Sequence, residues 1–330
     1  MNKRIIALVL LASMSLYAVT SCSTALETST PDGTTESAII ITTPETSVET
    51  EASETEESTE ATTTTAMTTV PFEPADEPDD IVVPEGYHFV WSDEFDGEEL
   101  SSFWTRESHP SHWVNEELQE YVNSEEYAYV SDGNLIIQPT KVVGDDGNVS
   151  YYSGRVNTYG TFTFQYGRIE AKIKTPEGKG YLPAFWLLPT TGKWPVSGEI
   201  DIMEIVGGIG TENTTYGTIH YGNPHDQNQG SYTLEDGLFS SDYHIYACEW
   251  EPGKITFLVD GIPFYETTEW YSSPMTGYTA EFPAPFDKPF YIIFNVAVGG
   301  NWPGDPDENT PFDERGQMRV DWVRVYQRDE

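Results

Sequence analysis

From about residue 81 onward the chain is built of short runs in which apolar residues alternate with polar ones or fill the run entirely. The clearest are YAYVSDGNLIIQP, GTFTFQYGRIEAKIKTP, KITFLVDGIPFYE, FYIIFNVAVGG and QMRVDWVRVYQ. Alternation marks a strand with one buried face, and Gly, Pro, Asn and Asp stand between the runs, where turns belong. Helical periodicity is scarce. A chain of this kind hides its apolar faces by laying one sheet on another, so the expected fold is an all-β antiparallel sandwich or jelly roll. Asp260 and Gly261, between two apolar runs, predict a hairpin turn.

One run carries chemistry. Ser197 to Val206 reads SGEIDIMEIV, with Glu199, Asp201 and Glu204 set among large apolar residues. Period-two alternation puts Glu199 and Asp201 on one face. Strict alternation then puts Met203 on that face, so Glu204 joins the other two if one extra residue is absorbed as a β-bulge, predicted at Ile202 or Met203. Two glutamates brought together with an aspartate between them suit glycoside hydrolysis, in which one carboxylate attacks the sugar and another acts as acid and then base. An ordinary strand with a solvated acidic face has the same period.

The amino terminus has a different character. Lys3 and Arg4 precede an uncharged, mostly apolar run from Ile5 to Val19, which reads as a secretory signal peptide over residues 1–21. VTSC at its end resembles a bacterial lipobox and implies lipidation of Cys22, with simple secretion as the alternative. Several acyl chains there anchor a protein stably, where one is marginal. Residues 22–80 are rich in Thr, Ser, Glu and Pro and hold no Lys or Arg. They bury too little apolar surface to order, and predict an extended linker between a lipid anchor and a domain over 81–330. The expected location is the cell surface or envelope, with the membrane met through the lipid anchor alone.

Formal net charge is −39, and residues 81–330 alone hold 40 acidic against 14 basic residues. That balance argues against nucleic acid as a partner and favours a neutral polymer over a sulfated one. Cys248 is the one cysteine besides Cys22, which excludes a disulfide framework and predicts a buried thiol. No phosphate-cradling loop, GxSxG elbow or metal-ligand spacing appears in the sequence. Aromatic rings stack on the C–H faces of sugars and planar polar groups meet the hydroxyls. On position, Trp194 and Trp302 are candidates for ligand contact, with Trp186 as a further one. Asn115, Glu117 and Arg155 offer hydrogen bonds near aromatic residues, and His220 in TIHYG could face the same cleft from the next strand.

Taken together, GEIDIME, WSDEFDG, NEELQEY, SGRVNTYGTFTFQYGRIEAKIK, LPAFWLLP, EWEPGKITFLVDG, NVAVGGNWPG and VDWVRVYQ resemble glycoside hydrolase family 16, on its laminarinase-like endo-β-1,3-glucanase side. The resemblance covers residues 86–328. It implies a concanavalin A-like jelly roll with an open concave cleft and retaining cleavage of internal β-linkages. Glu199 would be the nucleophile, Glu204 the acid/base and Asp201 the assisting carboxylate. Asn115, Arg155, Trp194 and Trp302 would bind glucan, with Glu117, Trp186, His220 and Asn301 beside them. The family works without a catalytic cofactor, and many members hold a structural Ca2+, here matching Glu94, Gly133 and Asp321. Leu182 stands where many relatives have Trp, which alters stacking near the cleaved bond. β-1,3-glucan is the expected substrate, mixed β-1,3-1,4-glucan a second target, and a monomer the expected state. An agarase- or carrageenase-like galactan hydrolase and a non-catalytic glycan-binding module are the competing readings.

Overall fold

The structure is a computed structural model describing residues 81–272 and 280–329. The expected signal peptide, Cys22 and the linker lie outside the described residues. In chain order the strands are β1 (Tyr87–Asp93), β2 (Thr105–Arg106), β3 (Gln119–Tyr121), β4 (Ala128–Ser131), β5 (Asn134–Ile137) and β6 (Thr140–Val143). Then come β7 (Val149–Ser153), β8 (Arg155–Asn157), β9 (Gly167–Lys174), β10 (Tyr181–Pro189), β11 (Glu199–Ile205) and β12 (Thr214–Tyr221). The last six are β13 (Asp226–Thr233), β14 (His244–Glu251), β15 (Lys254–Val259), β16 (Ile262–Thr267), β17 (Phe290–Val298) and β18 (Met318–Arg328).

Two large sheets form from these. One runs β16-β15-β14-β9-β18-β5-β4 with β1 also on β18, and the other runs β13-β12-β11-β10-β17-β8-β2. Pairing within both is antiparallel, as expected of a jelly roll. A small third sheet, β3-β7-β6, contains a parallel pair between β3 and β7, which the sequence pattern did not signal.

Alternation decides which side chains enter the core. On β10, Tyr181, Phe185 and Leu187 point between the sheets, and on β17 Phe294, Val296 and Val298 do the same. Phe185 stacks on Phe294 at 4.8 Å, and Trp91 stacks on Phe162 at 4.3 Å. Burying each such side chain contributes roughly 1.5–3 kcal/mol, so this double layer is the main source of stability. Cys248 is a buried free thiol in the same core. Asp260 and Gly261 link β15 to β16 with φ of 49° and 76°, the doubly left-handed turn that matches strand twist.

The opposite face of the β10, β11 and β17 layer is therefore free of core duty. Leu182, Ala184 and Trp186 from β10 and Asn295 and Ala297 from β17 line a cavity of about 110 Å³ there.

Candidate active site

The bulge sits where the alternation required it. β11 pairs with β12 as Asp201↔Thr218 and then Glu204↔Tyr216, so Ile202 and Met203 together oppose Gly217. Against β10 the partners step from Trp186↔Asp201 to Phe185↔Met203, which makes Ile202 the extra residue on that side. Ile202 and Met203 are both fully buried in the core. Two successive inward residues restore Glu204 to the outer face, and Glu199, Asp201 and Glu204 all line the cavity. Gly217 answers the bulge from β12. A Cβ there would come within 2.5 Å of the Phe257 ring, so the sheets close to this distance only over glycine.

Burial of three carboxyl groups in one place has a direct electrostatic result. Glu204 is pushed up to about 8, first by loss of water and then by the Asp201 charge. Asp201, 4% exposed, is held well above its ordinary range by burial. Glu199 is likewise held well above its ordinary range, by burial first and then by Asp201 and Glu204, with His220 and Arg155 acting against the rise. Both glutamates stay raised, with Arg155 opposing the rise at Glu199 and Glu117 adding to it at Glu204.

Around this floor the walls are aromatic and polar. The Arg155 guanidinium lies over Trp186 at 4.7 Å and near Trp113 at 5.4 Å, and its Nε is 3.0 Å from Glu107 Oε2. Burial alone would raise Glu107, but Arg155 and hydrogen bonds from His109 and Asn157 hold it below the usual carboxylate range. Trp186 Nε1 donates to Asn295 Oδ1 at 2.7 Å, and Asn295 Nδ2 donates to Tyr121 OH at 3.0 Å. Gln119 Nε2 donates to Glu117 Oε2 at 2.8 Å, and burial raises the Glu117 carboxyl. Asn301 N donates to Asn115 O at 2.9 Å and joins the two loops.

The structure brings Asn115, Glu117, Arg155 and Trp186 to the cavity with the three acids. His220 joins them from β12, where it pairs with Glu199, and its Nε2 is 3.3 Å from Asp201 Oδ2 and 3.9 Å from Glu199 Oε1. Ligand atoms of Glu199, Asp201 and His220 all lie within 4.8 Å of one another. The sequence had shown no metal-ligand spacing, because His220 arrives from another strand. Trp194 flanks the site at 6.2 Å from the His220 ring, and Trp302 lies 5.1 Å from Tyr216, the partner of Glu204. Both are about half exposed.

The family model for glycosyl hydrolases family 16 matches residues 115–324, most of the described domain. The chain belongs to that family.

Among family 16 relatives, it is 40% identical over 264 residues to glucan endo-1,3-beta-glucosidase A1 of Niallia circulans, covering 73% of this chain and 38% of that protein. It is 34% identical to a keratan-sulfate endo-1,4-beta-galactosidase of Sphingobacterium multivorum, covering 74% of this chain and 56% of that one. The chain thus spans about half or less of these two relatives. The solved endo-beta-1,3-glucanase of Pyrococcus furiosus superposes with a TM-score of 0.63 at 38% identity, over 74% of this chain and 95% of that one. The family's glycosidases need no catalytic cofactor.

Within this family 16 site, sequence reasoning missed Glu107, Trp113, Tyr121, His225 and Asn295. Asn295 was visible in NVAVGG as a polar residue inside an apolar strand, a signal that it faces a cleft. Glu107 and His225 sit in irregular segments, where no period assigns a face. At the Glu94, Gly133 and Asp321 set, where the resemblance offers Glu94 and Gly133 through main-chain oxygens, both acidic side chains are ion-paired. The Glu94 carboxylate receives Arg324 Nε at 3.0 Å and Nη2 at 2.8 Å, and Asp321 pairs with Lys172 at 2.7 Å.

Proposed function

We propose that the chain is an endo-acting retaining β-1,3-glucanase, with mixed β-1,3-1,4-glucan as a second substrate. The observation that carries this is the bulge, which sets Glu199, Asp201 and Glu204 on one cleft face. Glu199, eased toward ionisation by Arg155, attacks the anomeric carbon while Glu204, still protonated near neutral pH, gives its proton to the leaving oxygen. Water then enters and gives a proton to Glu204 as its oxygen bonds to the anomeric carbon, and the bond to Glu199 breaks. Asp201 between them raises the Glu204 pKa and so keeps the acid charged with a proton. Asn115, Glu117, Arg155, Trp186 and Asn301 bind the chain on one side of the cut, with Trp194, His220 and Trp302 around the catalytic floor. Released reducing ends from laminarin, lichenan and agarose, for wild type and Glu199→Ala, test the reading. An inert wild type on β-glucans ends the substrate assignment, and near-normal turnover by Glu199→Ala ends the nucleophile assignment.

A second reading, a galactan hydrolase, draws support from the similarity to the keratan-sulfate galactosidase. Against a sulfated substrate, Arg155 is the one cation among the cavity-lining residues, beside four carboxylates. Turnover of agarose in the same assay, without turnover of laminarin, would establish it. A purely glycan-binding role leaves the three acids without a purpose.

The remaining parts of the proposal concern delivery and stability. Residues 1–21 direct secretion, Cys22 carries the lipid, and residues 22–80 tether a monomeric catalytic domain over 81–330 at the cell surface. Labelling with a radioactive or clickable fatty acid, lost in Cys22→Ser, tests the anchor. β18 pairs with β5 up to Val320↔Leu135 and with β1 from Val323↔Asp93, so Asp321 falls beside Gly133 and Glu94. A calcium ion at that corner uses main-chain oxygens with the Asp321 carboxylate, in competition with Lys172. A melting temperature unchanged by chelator removes it.

A further inference from the structure

We propose that Glu199, Asp201 and His220 also form a binding site for one borderline transition-metal dication, of the Zn2+ or Cu2+ class, and that its occupation closes the site to polysaccharide. The distances suit such an ion. Bonds of about 2.1 Å in tetrahedral geometry separate ligand atoms by about 3.4 Å. His220 Nε2 already stands 3.3 Å from Asp201 Oδ2 and 3.9 Å from Glu199 Oε1, and ligand atoms of all three residues lie within 4.8 Å of one another, a spread that side-chain rotation can draw in around an ion.

A second observation points to a missing ligand. Asp201 Oδ2 is buried and has no hydrogen-bond partner, because the approach of His220 lacks hydrogen-bond geometry. A buried carboxyl oxygen without a partner is destabilising, and a cation placed against it relieves that cost. One imidazole and two carboxylates favour a borderline ion. Ca2+ and Mg2+ are hard ions that take oxygen ligands and would leave the imidazole unused. The fourth position opens to the cleft, as at metal sites that retain an exchangeable water.

The histidine is also held as a metal ligand is held. His220 Nδ1 lies 2.9 Å from His225 Nε2, which fixes the ring and leaves Nε2 facing the acids. His225 is itself set in place. Tyr271 OH donates to Pro224 O at 2.9 Å, the Tyr271 ring sits so close to Gly222 that a Cβ would come within 2.5 Å, and Trp194 packs on His225 at 4.9 Å.

Competition with polysaccharide rests on the proposed glucanase reading, since an ion on Glu199 denies that carboxylate to an anomeric carbon. Binding itself does not rest on it. Titration calorimetry of the full chain, free of any polyhistidine tag, is expected to show one Zn2+ site with Kd of about 100 μM or tighter, which MgCl2 does not displace. His220→Gln and, separately, Glu199→Gln weaken it at least about 100-fold, with thermal melts verifying that both fold. His225→Phe keeps the ring against Trp194 but loses Nε2, and weakens it by about 10- to 100-fold. Co2+ in place of Zn2+ gives the visible absorption of a tetrahedral N/O site, and Zn2+ raises KM on laminarin with kcat unchanged. A Zn2+ affinity weaker than this, or a tight site that both His220→Gln and Glu199→Gln leave intact, overturns the proposal. Tight, mutation-sensitive Zn2+ binding by a chain inert on all β-glucans would end the glucanase reading and leave the metal site standing.

Discussion

Replacing Glu204 by Gln is expected to stabilise the protein at alkaline pH and to leave it unchanged near pH 5. Folded Glu204 releases its proton at about 8, against 4.5 for the ordinary glutamate of the unfolded chain. The fold therefore binds this proton more tightly than the unfolded chain does. Its contribution to stability is fully present below about 4.5 and is lost as pH climbs through about 8. A difference of 3.5 units is worth about 5 kcal/mol at 1.36 kcal/mol per unit for an isolated group. Here Glu199 and Asp201 share the charge, so about 2–3 kcal/mol is the working expectation for Glu204 alone. Gln mimics the protonated acid and carries no penalty above pH 8. Thermal melts of wild type and Glu204→Gln from pH 5 to 9 should coincide at the acid end and diverge to about 5–10 °C at the alkaline end. A constant offset across the range, or a less stable variant at pH 9, would refute the reasoning.

Other consequences can be checked separately. Arg155→Gln removes the cation that favours ionised Glu199, so the acid limb of kcat/KM should move to higher pH and turnover should fall, read from a pH–rate profile on laminarin. Trp194→Ala, at a ring 54% exposed, should lose about 1 kcal/mol of stacking, a KM rise of about fivefold, with little change in melting temperature. Gly217→Ala forces a methyl against Phe257 and should destabilise by about 1–3 kcal/mol in denaturant titration while lowering activity through the displaced bulge.

Much of the fold was legible because antiparallel strands write their burial into the sequence at period two. The bulge was legible for the same reason, since Glu204 stands one residue out of phase with Glu199 and Asp201. What failed to appear was anything set by contact between distant segments. The pairing of β3 with β7 joins strands whose own letters give no hint of direction. Glu107 acquires its place by meeting Arg155 from a segment with no regular period, and His225 acquires its own by meeting His220 across a turn. The Glu94 carboxylate likewise meets Arg324 from 230 residues away, a pairing that neither segment's own letters announce.

The doubled inward step at Ile202 and Met203 is the one feature a single deletion here would erase. Taking out either residue leaves Glu199, Asp201 and Glu204 in plain alternation, still on the groove side, with the ladder to β12 drawn straight. A shortened gene would iron out the kink without turning the acids inward.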